Sequence, residues 1–256
     1  MNKTKLPIFL TAFAIVSPTF GQTFIDDFES YSPGVQSANL RDAFTIVDGS
    51  ATIGSGQAAE WTGGTQTWHG LDWDQGTNPK PVLTVSFDIY NPSTATEASP
   101  PSFAFNNNGS NPVSSTRNIV RFGMDGFGGL SFAGNEGTKT YADQTYPLDT
   151  LVGFHLVFNN TASSVTYPGG RTLAAQSLEA WKVVDGALSL VGTTDFAAFD
   201  LDYLVFGTNS SYSEGDLQID NMRYSEGVTV VPEPSTYAMV MGFLALVGML
   251  VRRRMK

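Results

Sequence analysis

Apolar and polar positions alternate with a period of two over most of this chain. The cleanest run is Leu83-Thr84-Val85-Ser86-Phe87-Asp88-Ile89, which sets Leu83, Val85, Phe87 and Ile89 on one face, as a half-buried strand requires. In 151–158 one face holds Val152, Phe154, Leu156 and Phe158, and the other Leu151, Gly153, His155 and Val157. That strand is expected to be covered on both sides. Residues 181–184, then Asp185-Gly186, then 187–191 predict a hairpin, because Asp-Gly suits the tight turn whose two central residues have positive φ. Further strands are predicted at 24–28, 44–47, 103–105, 119–122, 130–133, 163–167, 203–206 and 217–224. No stretch between Gln22 and Val231 keeps the 3.6-residue period of an amphipathic helix.

About a dozen short strands broken by Gly, Pro and Asn turns predict an all-β body, an antiparallel two-sheet sandwich. The longest irregular stretches, 91–102 and 106–116, are rich in Pro, Ser, Asn and Thr. They predict surface loops, where binding is usually placed on a rigid sandwich. No internal repeat is visible.

The two ends depart from the period-two pattern. Lys3 and Lys5, an apolar run over 6–16 and the small-residue site Thr19-Phe20-Gly21 predict a secretory signal peptide over 1–21, with Gln22 as the mature N-terminus. At the other end Val231-Pro232-Glu233-Pro234-Ser235-Thr236 leads into an apolar run over 237–251, closed by Arg252, Arg253 and Arg254. That run is shorter than the roughly 20 residues that comfortably span a bilayer, yet it predicts a single short transmembrane helix if the bilayer thins locally. The arginines and Lys256 would hold the C-terminus in the cytoplasm. Pro232 and Pro234 keep the approach extended. The body is therefore expected over 22–227, a linker with the Pro-Glu-Pro motif over 228–236, the helix over 237–251 and a basic tail over 252–256.

This tail resembles the PEP-CTERM sorting signal of bacterial exported proteins: a Pro-Glu-Pro motif, a short membrane helix and a basic stop. The resemblance implies recognition by an exosortase, a membrane protease-transpeptidase, and delivery to the cell surface or an extracellular polysaccharide matrix. Two further segments resemble concanavalin-like and laminin-G-like jelly rolls of bacterial surface proteins. Phe24-Ile25-Asp26-Asp27-Phe28-Glu29-Ser30-Tyr31-Ser32-Pro33-Gly34 is similar to their first strand. Asp216-Leu217-Gln218-Ile219-Asp220-Asn221-Met222-Arg223-Tyr224 is similar to their last.

Charge and composition narrow the partners. The formal net charge is −10, and the two terminal signals carry six of the 14 basic residues against one of the 24 acidic ones. The body is thus more acidic still, which argues against nucleic acid, whose phosphates are gripped by clustered Lys and Arg. There is no cysteine, so disulfides and thiolate metal sites are excluded.

Three constellations carry candidate chemistry. In the expected sandwich the first and last strands are neighbours, bringing Asp26, Asp27 and Glu29 near Asp220 and Asn221. Calcium takes six to eight oxygen ligands of this kind, and the resemblance implies a structural calcium at such a junction. Asn221 would follow Leu217 and Ile219 inward unless a bulge intervenes; exposed acids that guard a sheet edge are the other reading. The second constellation is 61–74, where Trp61, Trp68 and Trp73 sit among Gly and Thr with Asp72 and Asp74. Indole faces stack on sugar rings while carboxylates accept from hydroxyls; core packing is the alternative use of such rings. Catalysis is the thinnest case. The histidines, His69 and His155, have no metal-motif spacing, no G-x-S-x-G occurs, and no second acid joins Asp88 at i+2 or i+4, where hydrolysis of a glycosidic bond normally needs two carboxylates. The sequence therefore predicts an exported, non-catalytic matrix protein that binds extracellular polysaccharide. A structural or adhesive protein without a defined ligand, and a polysaccharide-degrading enzyme, stay open as alternatives.

Overall fold

The computed structural model describes residues 23–26, 28–32, 44–54, 56–61, 68–72, 81–93, 102–106, 118–125, 127–134, 139–167, 170–196, 203–207 and 217–228. The expected signal peptide, the expected membrane helix and most of both expected loops lie outside these residues. So do Pro232, Glu233, Pro234, Arg252, Arg253 and Arg254. Among the described residues there is no helix, and so none long and apolar enough to cross a membrane.

Sixteen strands are described. The first eight are β1 Thr23–Asp26, β2 Phe44–Asp48, β3 Gln57–Trp61, β4 Trp68–Asp72, β5 Val82–Tyr90, β6 Ser102–Asn106, β7 Asn118–Met124 and β8 Gly129–Ala133. The rest are β9 Lys139–Thr145, β10 Leu151–Asn159, β11 Val165–Thr166, β12 Thr172–Leu173, β13 Ser177–Val184, β14 Ala187–Asp195, β15 Tyr203–Gly207 and β16 Gln218–Glu226. All pairings are antiparallel. An eight-stranded sheet runs β14-β13-β10-β5-β16-β3-β2, with β1 also paired to β16, and a six-stranded sheet runs β4-β15-β6-β7-β8-β9. β11 and β12 form a small separate ribbon.

The alternation of β5 and β10 is what brings the two sheets together. Phe87 of β5 stacks on Phe103 of β6 with ring centroids 3.9 Å apart, and Phe154 of β10 packs against Phe122 of β7 at 5.3 Å. Phe87, Phe103, Phe122, Phe154 and Phe158 are all essentially inaccessible to solvent. Burying a ring of this size contributes about 2–3 kcal/mol from area alone. The first and last strands are neighbours as expected, with Phe24 opposite Arg223. The Asp-Gly hairpin is also present: Asp185 and Gly186 both have positive φ, at 51° and 75°.

β10 is covered on both faces, but unequally. Its outward residue Val157 packs with Tyr167 and Leu173 of the β11–β12 ribbon and with Trp181. Towards its start the outward positions are only partly buried.

Candidate functional site

The outward face of the eight-stranded sheet carries polar side chains in register across adjacent strands. One row runs Arg223 of β16, Ser86 of β5, His155 of β10 and Trp181 of β13. The next runs Asp220, Asp88, Gly153 and Val183, and the third Glu60, Gln218, Tyr90 and Leu151. Most of these residues are half-buried, so the strip is neither core nor freely solvated.

The centre of the strip depends on a bulge in β16. Asp220 lies opposite Asp88, and the next paired outward residue is Arg223 opposite Ser86, so one extra residue is inserted. Asn221 takes the left-handed conformation, φ 52°, which Asn tolerates better than most residues. The bulge keeps both Asp220 and Arg223 on the outward face. Asn221 then uses its amide twice: Nδ2 donates to Asp88 Oδ2 at 3.0 Å and to Asp220 Oδ2 at 3.2 Å. Its backbone N–H donates to Asp220 Oδ1 at 2.6 Å, and Arg223 donates to Asn221 Oδ1 at 3.1 Å. Two carboxylates on adjacent strands are thus held by one amide. Burial pushes the Asp88 carboxyl above its usual value, and the bond from Asn221 and the charge of Arg223 only partly offset it. Gly153 leaves room for that carboxylate: a Cβ there would sit 3.1 Å from Asp88 Oδ1.

His155, one row away, is held neutral. Desolvation lowers its pKa from the usual 6.5 to about 4.

The strip ends at a locked corner beneath the β11–β12 ribbon. Glu179 is buried, accepting from Tyr167 Oη at 2.7 Å and pairing with the Arg171 guanidinium. The guanidinium lies 5.2 Å from the centre of the Trp181 ring, within cation–π range. Burial first, and then the bond to Glu179, raise the Tyr167 hydroxyl far above its ordinary pKa.

The residues expected from the sequence, and those it missed, fall in three groups. Asp220 and Asn221 are in the bulge, and Asp26 pairs with Met222 beside it, so the junction of first and last strands does gather that part of the set. Glu29 is exposed and accepts from the Gln57 backbone N–H at 3.0 Å. The side chain of Asp26, and Asp27 altogether, lie outside the described residues. Among the described residues no three His, Asp or Glu side chains converge to hold a metal. At the bulge, amide hydrogens rather than oxygens face the carboxylates.

In the second group Trp61 closes β3 in the eight-stranded sheet, while Trp68 opens β4 at the edge of the six-stranded one. The two tryptophans thus stand in different sheets. Asp72 closes β4 opposite Tyr203, Trp73 and Asp74 lie outside the described residues, and the side chains of Trp61, Trp68 and Asp72 are not described. The third group was missed: the partner acid of Asp88 is Asp220, and Glu179 and Trp181 belong to the same face. Only the inward bend expected at Asn221 signalled the bulge; the cross-strand pairing of residues more than a hundred positions apart leaves no local mark.

Comparison with known proteins adds two findings. The PEP-CTERM protein-sorting motif matches residues 230–254. The chain therefore carries the signal of an exported, envelope-associated protein processed by an exosortase. Solved structures of a glycoside hydrolase domain and of lectins align with the chain. The catalytic domain of the glycoside hydrolase family 131 protein from Coprinopsis cinerea aligns at TM-score 0.52 and 13% identity, covering 80% of this chain and 94% of the other. Lectin II from Ulex europaeus aligns at TM-score 0.40 and 9% identity, covering 77% and 86%. The exoplasmic/lumenal domain of VIP36, in its Ca2+/Man3GlcNAc-bound form, aligns at 0.45 and 9%, covering 71% and 84%. At these identities the likeness to the hydrolase domain shows the fold alone. No curated protein sequence matches the chain.

Proposed function

We propose that this exported chain is a non-catalytic carbohydrate-binding protein of the extracellular polysaccharide matrix. The observation that carries the reading is the half-buried outward strip. Trp181, His155 and Arg223 bring planar groups there, and Asp88 and Asn221 bring polar ones, at spacings set by the strand ladder. Flat apolar faces interleaved with a few fixed polar groups suit a sugar chain. Trp61, Trp68 and Trp73, with Asp72 and Asp74 as acceptors, belong to the same proposal as further stacking and hydrogen-bonding residues. Binding is favoured over hydrolysis because Asp88 and Asp220 are engaged by Asn221 and Arg223 rather than set apart across an open gap.

Calcium at the junction of β1 and β16 belongs to the same proposal. The ion would draw on Asp26, Asp27, Glu29 and Asp220, and Asn221 would have to turn its amide oxygen inward to join them. A rise in thermal midpoint with calcium, reversed by chelator, supports this; an unchanged midpoint removes it.

Affinity electrophoresis of the purified protein through gels cast with soluble polysaccharides tests the main reading. Retardation in one gel type, weakened in Trp61→Ala, Trp68→Ala or Trp181→Ala without loss of folding, supports it. Unchanged mobility in every gel would leave the structural-protein alternative in front. Release of reducing ends from the retained polysaccharide would replace binding with hydrolysis.

A further inference from the structure

One end of the sandwich gathers an exposed aromatic ring and both described strand ends of the tryptophan segment. In the eight-stranded sheet that end holds Tyr90, Leu151, Gln218 and Glu60, with Trp61 next along β3. In the six-stranded sheet it holds the β7–β8 turn, and the register carries across Gly123, Ser102 and Gly207 to Trp68. The link between the two is direct: β9 ends beside the turn, and residues 146–150 then lead to Leu151. Phe127, at the tip of the turn, is 62% exposed and Leu151 is 39% exposed, the only large exposed hydrophobics among the described residues.

Phe127 stands on a built support. Asp125 Oδ1 accepts from the backbone N–H of Phe127 at 3.0 Å and from that of Gly129. Asp125 N–H donates to Gly129 O at 2.8 Å, and Gly128 N–H donates to Asp125 O at 3.0 Å. Tyr146 clamps the turn from the side: its N–H donates to Gly128 O at 2.8 Å and its hydroxyl to Asp125 O at 2.6 Å. Asn91 Nδ2 donates to that hydroxyl at 2.7 Å, tying the clamp to the end of β5. Gly128 has φ 86°, and a Cβ on it would overlap Tyr146 O, so this close approach needs glycine. The ring's neighbours in sequence are both glycine and bring no side chain beside it. A ring carried on a backbone held in this way loses less freedom on binding than one on a loose loop, and such preorganisation favours recognition.

The surroundings select the occupant. One Phe and one Leu cannot supply the roughly 800 Å² per partner of a standard dimer interface. Asp149 of the β9–β10 connection and Asp185 of the β13–β14 turn are exposed at this end, and the chain is acidic overall, which opposes an anionic lipid surface. A sugar ring needs one flat apolar face and polar neighbours. The geometry points to Phe127 as a stacking residue for a polysaccharide chain, extending the glycan surface over the loop-bearing end of the sandwich. This inference rests on the carbohydrate-binding reading above.

The test uses the full exported chain in gels cast with laminarin, arabinoxylan, hydroxyethylcellulose, dextran or alginate, comparing wild type with Phe127→Ala, Phe127→Leu and Phe127→Trp. The expected result is roughly 3- to 10-fold weaker retention for the Ala and Leu variants, retention kept in the Trp variant, and thermal midpoints unchanged. If wild type is retarded and the Ala and Leu variants equally so, Phe127 is not a stacking residue while the binding reading stands. If wild type is not retarded in any gel, both fail together. A large fall in midpoint for both variants would make the ring structural and overturn the inference. So would Phe127-dependent cosedimentation with phosphatidylcholine–phosphatidylglycerol vesicles.

Discussion

Acidification should unfold this protein partly through His155. The ring lies on the outward face between Ser86 and Trp181 in the strand register, and burial alone lowers its pKa from 6.5 to about 4. A histidine whose folded pKa is depressed binds its proton more readily when unfolded, so the unfolded chain gains protons as pH falls. The neutral ring's contribution is fully present above pH 6.5 and is lost between 6.5 and about 4. Each tenfold loss of proton affinity on folding is worth about 1.4 kcal/mol, which gives about 3 kcal/mol as an upper figure for this ring. Asp88 acts in the opposite sense. Its folded pKa is raised, so its protonation favours the folded state as pH falls towards the ordinary carboxylate range. The two effects overlap, and subtraction separates them. Urea unfolding of wild type and His155→Gln from pH 7.5 to 4 should show the wild type losing about 2–3 kcal/mol more than the variant. Parallel stability curves would refute the argument, as would an imidazole NMR titration with a midpoint near 6.5 for the signal that His155→Gln removes.

Three further outcomes follow from the described contacts. Glu179→Ala leaves the Tyr167 hydroxyl and the Arg171 guanidinium without their shared acceptor, and should cost about 1–3 kcal/mol, with faster proteolysis within 160–176 as the ribbon loosens. Gly128→Ala meets the Tyr146 carbonyl at a positive φ and should lower stability by about 2 kcal/mol or more, measured by chemical denaturation. Asn221→Ala removes the amide that joins two carboxylates at the bulge. The loss, about 2 kcal/mol at neutral pH, should shrink on acidification as Asp88, whose burial raises its pKa, takes up its proton; an equal loss in acid and at neutral pH would exclude that reading.

Most of the framework was legible because its strands are amphipathic. β5 and β10 announce themselves, since every second residue faces a packed core, and the Asp185-Gly186 turn is specified by its own conformational needs. β3 and β9 were not predicted, for opposite reasons. β3 reads Gln-Ala-Ala-Glu-Trp, where small Ala58 and Ala59 are both fully buried and give no alternation. β9, at the edge of its sheet, reads Lys-Thr-Tyr-Ala-Asp-Gln-Thr, with Ala142 its contact with the core. The outward strip was harder still. Asp88 looked solitary because its partner acid is supplied by the last strand, and only the tertiary ladder aligns them. Tail recognition needed no fold at all, because Pro232, Glu233, Pro234 and the arginines after the apolar run are read in linear order.

The place of β16 has a mechanical consequence. The sorting motif begins at residue 230, a few residues after β16 ends at Glu226. β16 lies inside its sheet, bonded to β5 along one side and to β1 and β3 along the other. A pull applied at Glu226 along the strand would enter the fold here. Its ladder bonds would then be strained together, in shear, instead of being peeled one at a time. The strand nearest the sorting motif is thus bonded along both edges against being pulled out.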